Sequence, residues 1–144
     1  MAGCVEDKEI STLRPLTTEE LALLNRLLEH GLPGAKTFAP QVEKIRATPW
    51  CDCGCPSISL HVEAGTPLGE CPRSVLSDVV GLTPEGKKIG VLLFQKAGRL
   101  SILEVYSMDI IEGHWGFPVF DSLQTWEGVG RSIIKNSHSG ITHC

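Results

Sequence analysis

The chain has 144 residues, enough for one domain with a real core, and 42% hydrophobic and 21% charged residues, as in a globular protein. A net charge of −4 argues against a nucleic-acid partner, because phosphate binding needs a basic face. No apolar run approaches the ~20 residues of a membrane span, and Met1 to Asp7 lacks the apolar stretch of a secretory signal. The expected compartment is therefore the cytoplasm, where six cysteines are free, metal-bound or reactive rather than a disulfide framework.

Residues 1–12 carry no periodicity and read as a flexible leader, 13–127 as a single domain, and 128–144 as a polar, mobile tail. The first firm element is a helix over 17–30. Thr17-Thr18-Glu19-Glu20 is a capping box, and Leu16 and Leu21 hold the positions of a hydrophobic staple. Leu21, Leu24 and Leu28 mark one face, widened by Leu23 and Leu27. Gly31 is placed to be the left-handed residue after the last turn. Gly34 to Ala39 fits a short second helix that Pro40 ends or kinks. Val42 to Thr48 reads as a first strand, although Val42 and Ile45 also have helical spacing.

From Ser57 the period becomes two. Ile58, Leu60 and Val62 alternate with Ser59, His61 and Glu63, a strand with one wet face. Val75 to Leu82 is the next strand, and Thr83 to Lys87 is turn chemistry with Gly86 at positive φ. Lys88 to Gln95 is apolar on both faces, the mark of a central strand. Lys96-Ala97-Gly98 turns the chain into a strand over Leu100 to Ser107. That strand sets Leu103 and Val105 on one face and Leu100, Ile102, Glu104 and Tyr106 on the other. These elements predict an α+β fold, with one or two N-terminal helices on an antiparallel meander of about four to five strands. Trp115, Phe117, Pro118, Phe120, Leu123 and Trp126 should pack over a sheet face or edge.

The distinctive stretch is Cys51-Asp52-Cys53-Gly54-Cys55-Pro56-Ser57. In extended chain, Cys51, Cys53 and Cys55 present three sulfurs to one side, and a structural zinc site wants a fourth ligand, for which His61 and Cys71 are candidates. The competing reading is a tight turn whose cysteines are small apolar fillers. Cys71 beside Arg73 is a candidate thiol nucleophile, against a plain loop cysteine. Glu63, Asp78, Glu104 and Asp109 lie in or near strands, where carboxylates mostly line a solvated face. Glu104, between Ile102 and Tyr106, instead suggests a binding surface shared with Tyr106. His114 among aromatics reads as a packed loop histidine, and no nucleotide-binding or hydrolase motif occurs.

Leu13-Arg14-Pro15-Leu16-Thr17, the Cys51 to Ser57 motif, Gly90-Val91-Leu92-Leu93-Phe94 and Leu103-Glu104-Val105-Tyr106 together resemble a family of short, uncharacterised bacterial proteins frequent in actinobacteria. The resemblance spans residues 13–120 and implies a single bacterial domain with no activity to transfer. The reading that emerges is a small non-catalytic module binding a protein partner, in the manner of immunity or regulatory proteins. The alternatives are a zinc-binding protein using the cysteine triplet and a thiol-dependent enzyme.

Overall fold

A computed structural model of the chain describes residues 13–50, 55–109 and 115–125. In chain order the elements are β1 (Arg14–Pro15), α1 (Thr18–Glu29), a 3₁₀ helix (Ala35–Lys44), β2 (Ile45–Pro49), β3 (Ile58–Val62), β4 (Val75–Leu82), β5 (Lys88–Lys96), β6 (Arg99–Ser107), a 3₁₀ turn (Phe120–Ser122) and β7 (Gln124–Thr125). All strands join one antiparallel sheet in the order β1-β2-β3-β6-β5-β4-β7. This is the α+β arrangement expected, with seven strands among the described residues rather than four or five. The additional ones include β1 and β7, two residues each, too short for any periodicity to reveal.

Both halves of the capping box form. The Glu20 amide donates to Thr17 Oγ1 (3.0 Å), and the Thr17 amide donates to Glu20 Oε1 (2.9 Å). The buried stripe of α1 is Glu20, Leu23, Leu24, Leu27 and Leu28, the i, i+3, i+4, i+7, i+8 set. Leu21 falls outside it and is 37% exposed, so the expected staple face is corrected by one position. The inward place it would have taken belongs to Glu20, which grips Arg14 through two hydrogen bonds of 2.9 and 2.8 Å.

Gly31 does not take the left-handed conformation; Gly34 does, at φ 97°. Gly31 is needed for close approach instead. A Cβ there would lie 2.6 Å from the Leu76 carbonyl oxygen and 2.7 Å from Ala35 Cβ. Pro40 neither ends nor breaks the second helix, which runs on as 3₁₀ to Lys44. The ring's fixed φ lies within the 3₁₀ range, so the winding tolerates it. The first long strand accordingly starts at Ile45 rather than Val42.

The helices cover one sheet face, where Leu76, Val79, Ile89, Val91, Leu93, Leu103 and Val105 form the core with the α1 leucines and Phe38. The register of β5 on β6 shifts between Phe94 and Gln95, leaving Ser101 as the extra residue. That bulge reverses the expected orientation of Leu100, which joins the core at 1% exposure while Ile102, Glu104 and Tyr106 stay on the opposite face. The opposite face is not wholly wet, since Thr48 and Ser59 are buried there.

Edges are closed by short pieces. The outer side of β4 is met by the Leu32 amide at the Leu76 carbonyl (2.8 Å), by β7, and by the Val119 amide at the Leu82 carbonyl (2.7 Å). Such cover removes a template for strand addition. Trp115, Phe117, Phe120 and Leu123 pack against the core as expected, and the Trp115 indole N–H donates to the Val105 carbonyl (3.0 Å). Trp126 lies outside the described residues, as do the expected leader (1–12), the tail (128–144) and His114.

The connection from β3 to β4 is long and irregular, and two glutamines hold it. Gln41, fully buried, donates to the carbonyls of Pro67 (3.0 Å) and Gly98 (2.7 Å) and accepts from the Leu100 amide (3.0 Å). Gln95 donates to the carbonyls of Cys71 (3.2 Å) and Arg73 (2.6 Å) and accepts from the Gly98 amide (2.9 Å). Gly69 lies under Phe38, where any Cβ would meet ring atoms at 2.5 Å.

Candidate functional site

Sheet register assembles the most chemically distinctive group on the face away from α1. Asp78 on β4 and Glu104 on β6 both pair with Leu92 of β5, one from each side. Adjacent strands lie about 4.8 Å apart, so the two backbones stand about 10 Å from each other with Leu92 as the apolar floor between them. Leu92 is 5% exposed, and both acids are half-buried.

Tyr106 completes the group. It stands directly opposite Gly90, and a Cβ at Gly90 would overlap the phenol ring at its hydroxyl end. The missing side chain is therefore what lets the ring lie down across β5. The hydroxyl is buried and has no hydrogen-bond partner among the described residues. Burial, and then the nearby carboxylates of Asp78 and Glu104, push its pKa up to about 12. Near neutral pH the group is thus a neutral O–H donor beside two acids, over Gly90, whose partner on the other side is the apolar Val80.

Glu104 and Tyr106, singled out from the sequence, are brought together. Asp78 joins them, although the sequence offered it only as one acid among several. Residues 78 and 104 are far apart in the chain, and only the double pairing through Leu92 makes them neighbours. Gly90 carried no signal other than being a glycine inside an apolar strand, which can mark a close approach of another group.

Among the described residues, the proposed zinc ligands Cys55, His61 and Cys71 lie on separate parts of the sheet. Cys51 and Cys53 lie outside the described residues. Cys55 precedes Ser57, whose hydroxyl bonds the Val105 backbone, so it sits at the Val105 end of β6. His61 lies three residues along β3 from Ile58 in the opposite direction, about 10 Å at strand rise. Its Nε2 is 3.0 Å from Thr48 Oγ1, and it lines a cavity of about 580 Å³ with Arg46, Glu43 and Glu63. Cys71 is held near the β5–β6 turn, with Sγ 3.6 Å from the Pro33 carbonyl and accepting from the Arg73 amide at 3.5 Å. Strand length thus separates His61 and Cys71 from Cys55. No group of three or more potential ligands occurs among the described residues. For Cys71 as a nucleophile, the recorded partners of the thiol are backbone groups rather than a histidine and an acid.

No helix among the described residues is long and apolar enough to cross a membrane. No protein-family model, no curated protein and no solved structure matches the chain.

Proposed function

We propose that this protein is a non-catalytic binding module, and that it engages a protein partner through the sheet face bearing Asp78, Glu104 and Tyr106. The observation that carries the reading is the seating of the Tyr106 phenol on Gly90 beside two carboxylates. An aromatic anchor with a polar tip, set among charged groups over an apolar floor, has the composition of an interface centre. The acidic character of the face and of the chain favours a partner with a basic surface and disfavours nucleic acid.

The test uses immobilised wild-type protein beside Glu104→Lys and Tyr106→Ala, each with its fold checked by circular dichroism, against lysate of the native host. A partner retained by the wild type and lost by both variants is the expected result. Equal retention by all three, or retention of nothing specific to the wild type, overturns the reading.

A further inference from the structure

A second concave site lies on the other side of the sheet, between the C-terminal half of α1 and the β4–β7 edge. It is a cleft of about 220 Å³. Leu27 of α1, Val79 of β4 and Leu123 form its apolar part, Arg26 and His30 line its helix side, and Gln124 adds an amide from β7. Among the described residues, no aspartate or glutamate lines it. We infer that this cleft binds a carboxylate carried on a short apolar body, with the Arg26 guanidinium as the principal anion contact.

Arg26 is half-buried on the helix side of the cleft. A guanidinium has five N–H donors in a planar fork. Among the described residues its recorded hydrogen bond is one, from Nη2 to the Phe120 carbonyl at 3.5 Å, the limit of such a contact. That contact draws the side chain toward the Phe120–Ser122 turn and so onto the rim of the cleft. The fork matches a carboxylate edge to edge, the geometry in which arginine binds anions most strongly.

Two features oppose an anion and are outweighed. The end of a helix carries roughly half a negative charge, against a full positive charge on Arg26. The Arg26 carbonyl is already capped by the His30 amide at 3.1 Å, which reduces the opposing term. The Glu29 carboxylate lies 3.8 Å from the His30 imidazole, so His30 is partly engaged and Arg26 is the dominant cation.

Size sets the rest of the ligand. The volume is below the 300–1,000 Å³ common for drug-sized molecules, so the body is no larger than one branched or aromatic side chain. Leu27 is 1% and Val79 6% exposed, so the floor is well packed and an apolar body displaces water rather than protein. Either a free short-chain carboxylic acid or the C-terminal residue of a peptide meets this description.

The experiment titrates the isotope-labelled full chain with N-acetyl-leucine and follows the methyl resonances of Leu27, Val79 and Leu123. Saturable shifts with a Kd on the order of 1 mM are expected for so small a ligand. N-acetyl-leucinamide, which keeps the body and lacks the charge, should bind at least tenfold more weakly. Arg26→Gln should abolish the shifts, while Arg26→Lys, which keeps the charge without the fork, should weaken them several-fold. Isovalerate and a tetrapeptide ending in leucine then distinguish a small acid from a peptide terminus by which of them binds more tightly. Equal binding of the amide, unchanged binding in both Arg26 variants, or no saturable shift overturns the inference. None of these outcomes bears on the Tyr106 face, which lies on the other side of the sheet.

Discussion

Gln41→Met is the sharpest test of how this fold is held. The substitution keeps length and bulk but removes an amide that is fully buried and makes three hydrogen bonds. The Gly98 carbonyl retains the Gly69 amide at 2.9 Å, so it is not orphaned. The Leu100 amide is buried and loses Gln41 Oε1; an orphaned buried donor costs ~1–3 kcal/mol. The part-buried Pro67 carbonyl adds a smaller loss, since water can reach it in part. The net destabilisation is about 2–3 kcal/mol, which for a domain of this size lowers Tm by roughly 8–12 °C. Urea denaturation followed by circular dichroism measures the first quantity, and amide hydrogen exchange at Leu100 reports the local opening. A loss under ~0.5 kcal/mol with Leu100 protection unchanged would refute the view that Gln41 ties the β3–β4 connection to the β5–β6 turn.

Four further outcomes follow from single residues. Burial raises the Glu20 carboxyl, but Arg14 and the Thr17 amide and hydroxyl outweigh it and hold the pKa below the ordinary 4.5. The native state thus favours ionised Glu20. Its contribution is present above pH 4.5 and is lost as pH falls through the lowered value, so Glu20→Gln should flatten the acid limb of the stability curve in chemical denaturation. Ala97 sits at φ 56° in an exposed two-residue turn before Gly98, so Ala97→Asn should stabilise by about 0.5–1 kcal/mol in thermal melts, and a loss would contradict the turn assignment. The chain has one tyrosine, so ultraviolet titration reads Tyr106 alone: a midpoint of about 12 is expected, shifted down in Glu104→Gln. Gly90→Ala should displace the ring and destabilise by ~1–3 kcal/mol, whereas a neutral effect with unchanged tyrosine absorbance would contradict the seating of Tyr106 on β5.

Local chemistry was readable wherever it is written in adjacent residues. The capping box of α1, the strand limits of β4 and the positive-φ glycine at Gly86 depend on nearest-neighbour sterics and hydrogen bonding, and all three appear in the structure. The same holds for β5 as a central strand, because residues apolar on both faces can only be covered on both sides. Glu104 and Tyr106 share a face because side chains in a strand alternate with period two.

Long-range register decided the remainder. Leu100 turns inward because Ser101 is an extra residue in β6, an offset that exists only relative to β5. Asp78 becomes a neighbour of Glu104 because both pair with Leu92, and Tyr106 finds its seat because Gly90 stands opposite. Cys55, His61 and Cys71 separate because strand length and the route of the β3–β4 connection, not spacing along the chain, set their positions. Composition and periodicity thus determined that this chain builds an antiparallel sheet under an amphipathic helix. Cross-strand pairing, which couples residues tens of positions apart through backbone hydrogen bonds, decided which side chains meet and where they can recognise another molecule.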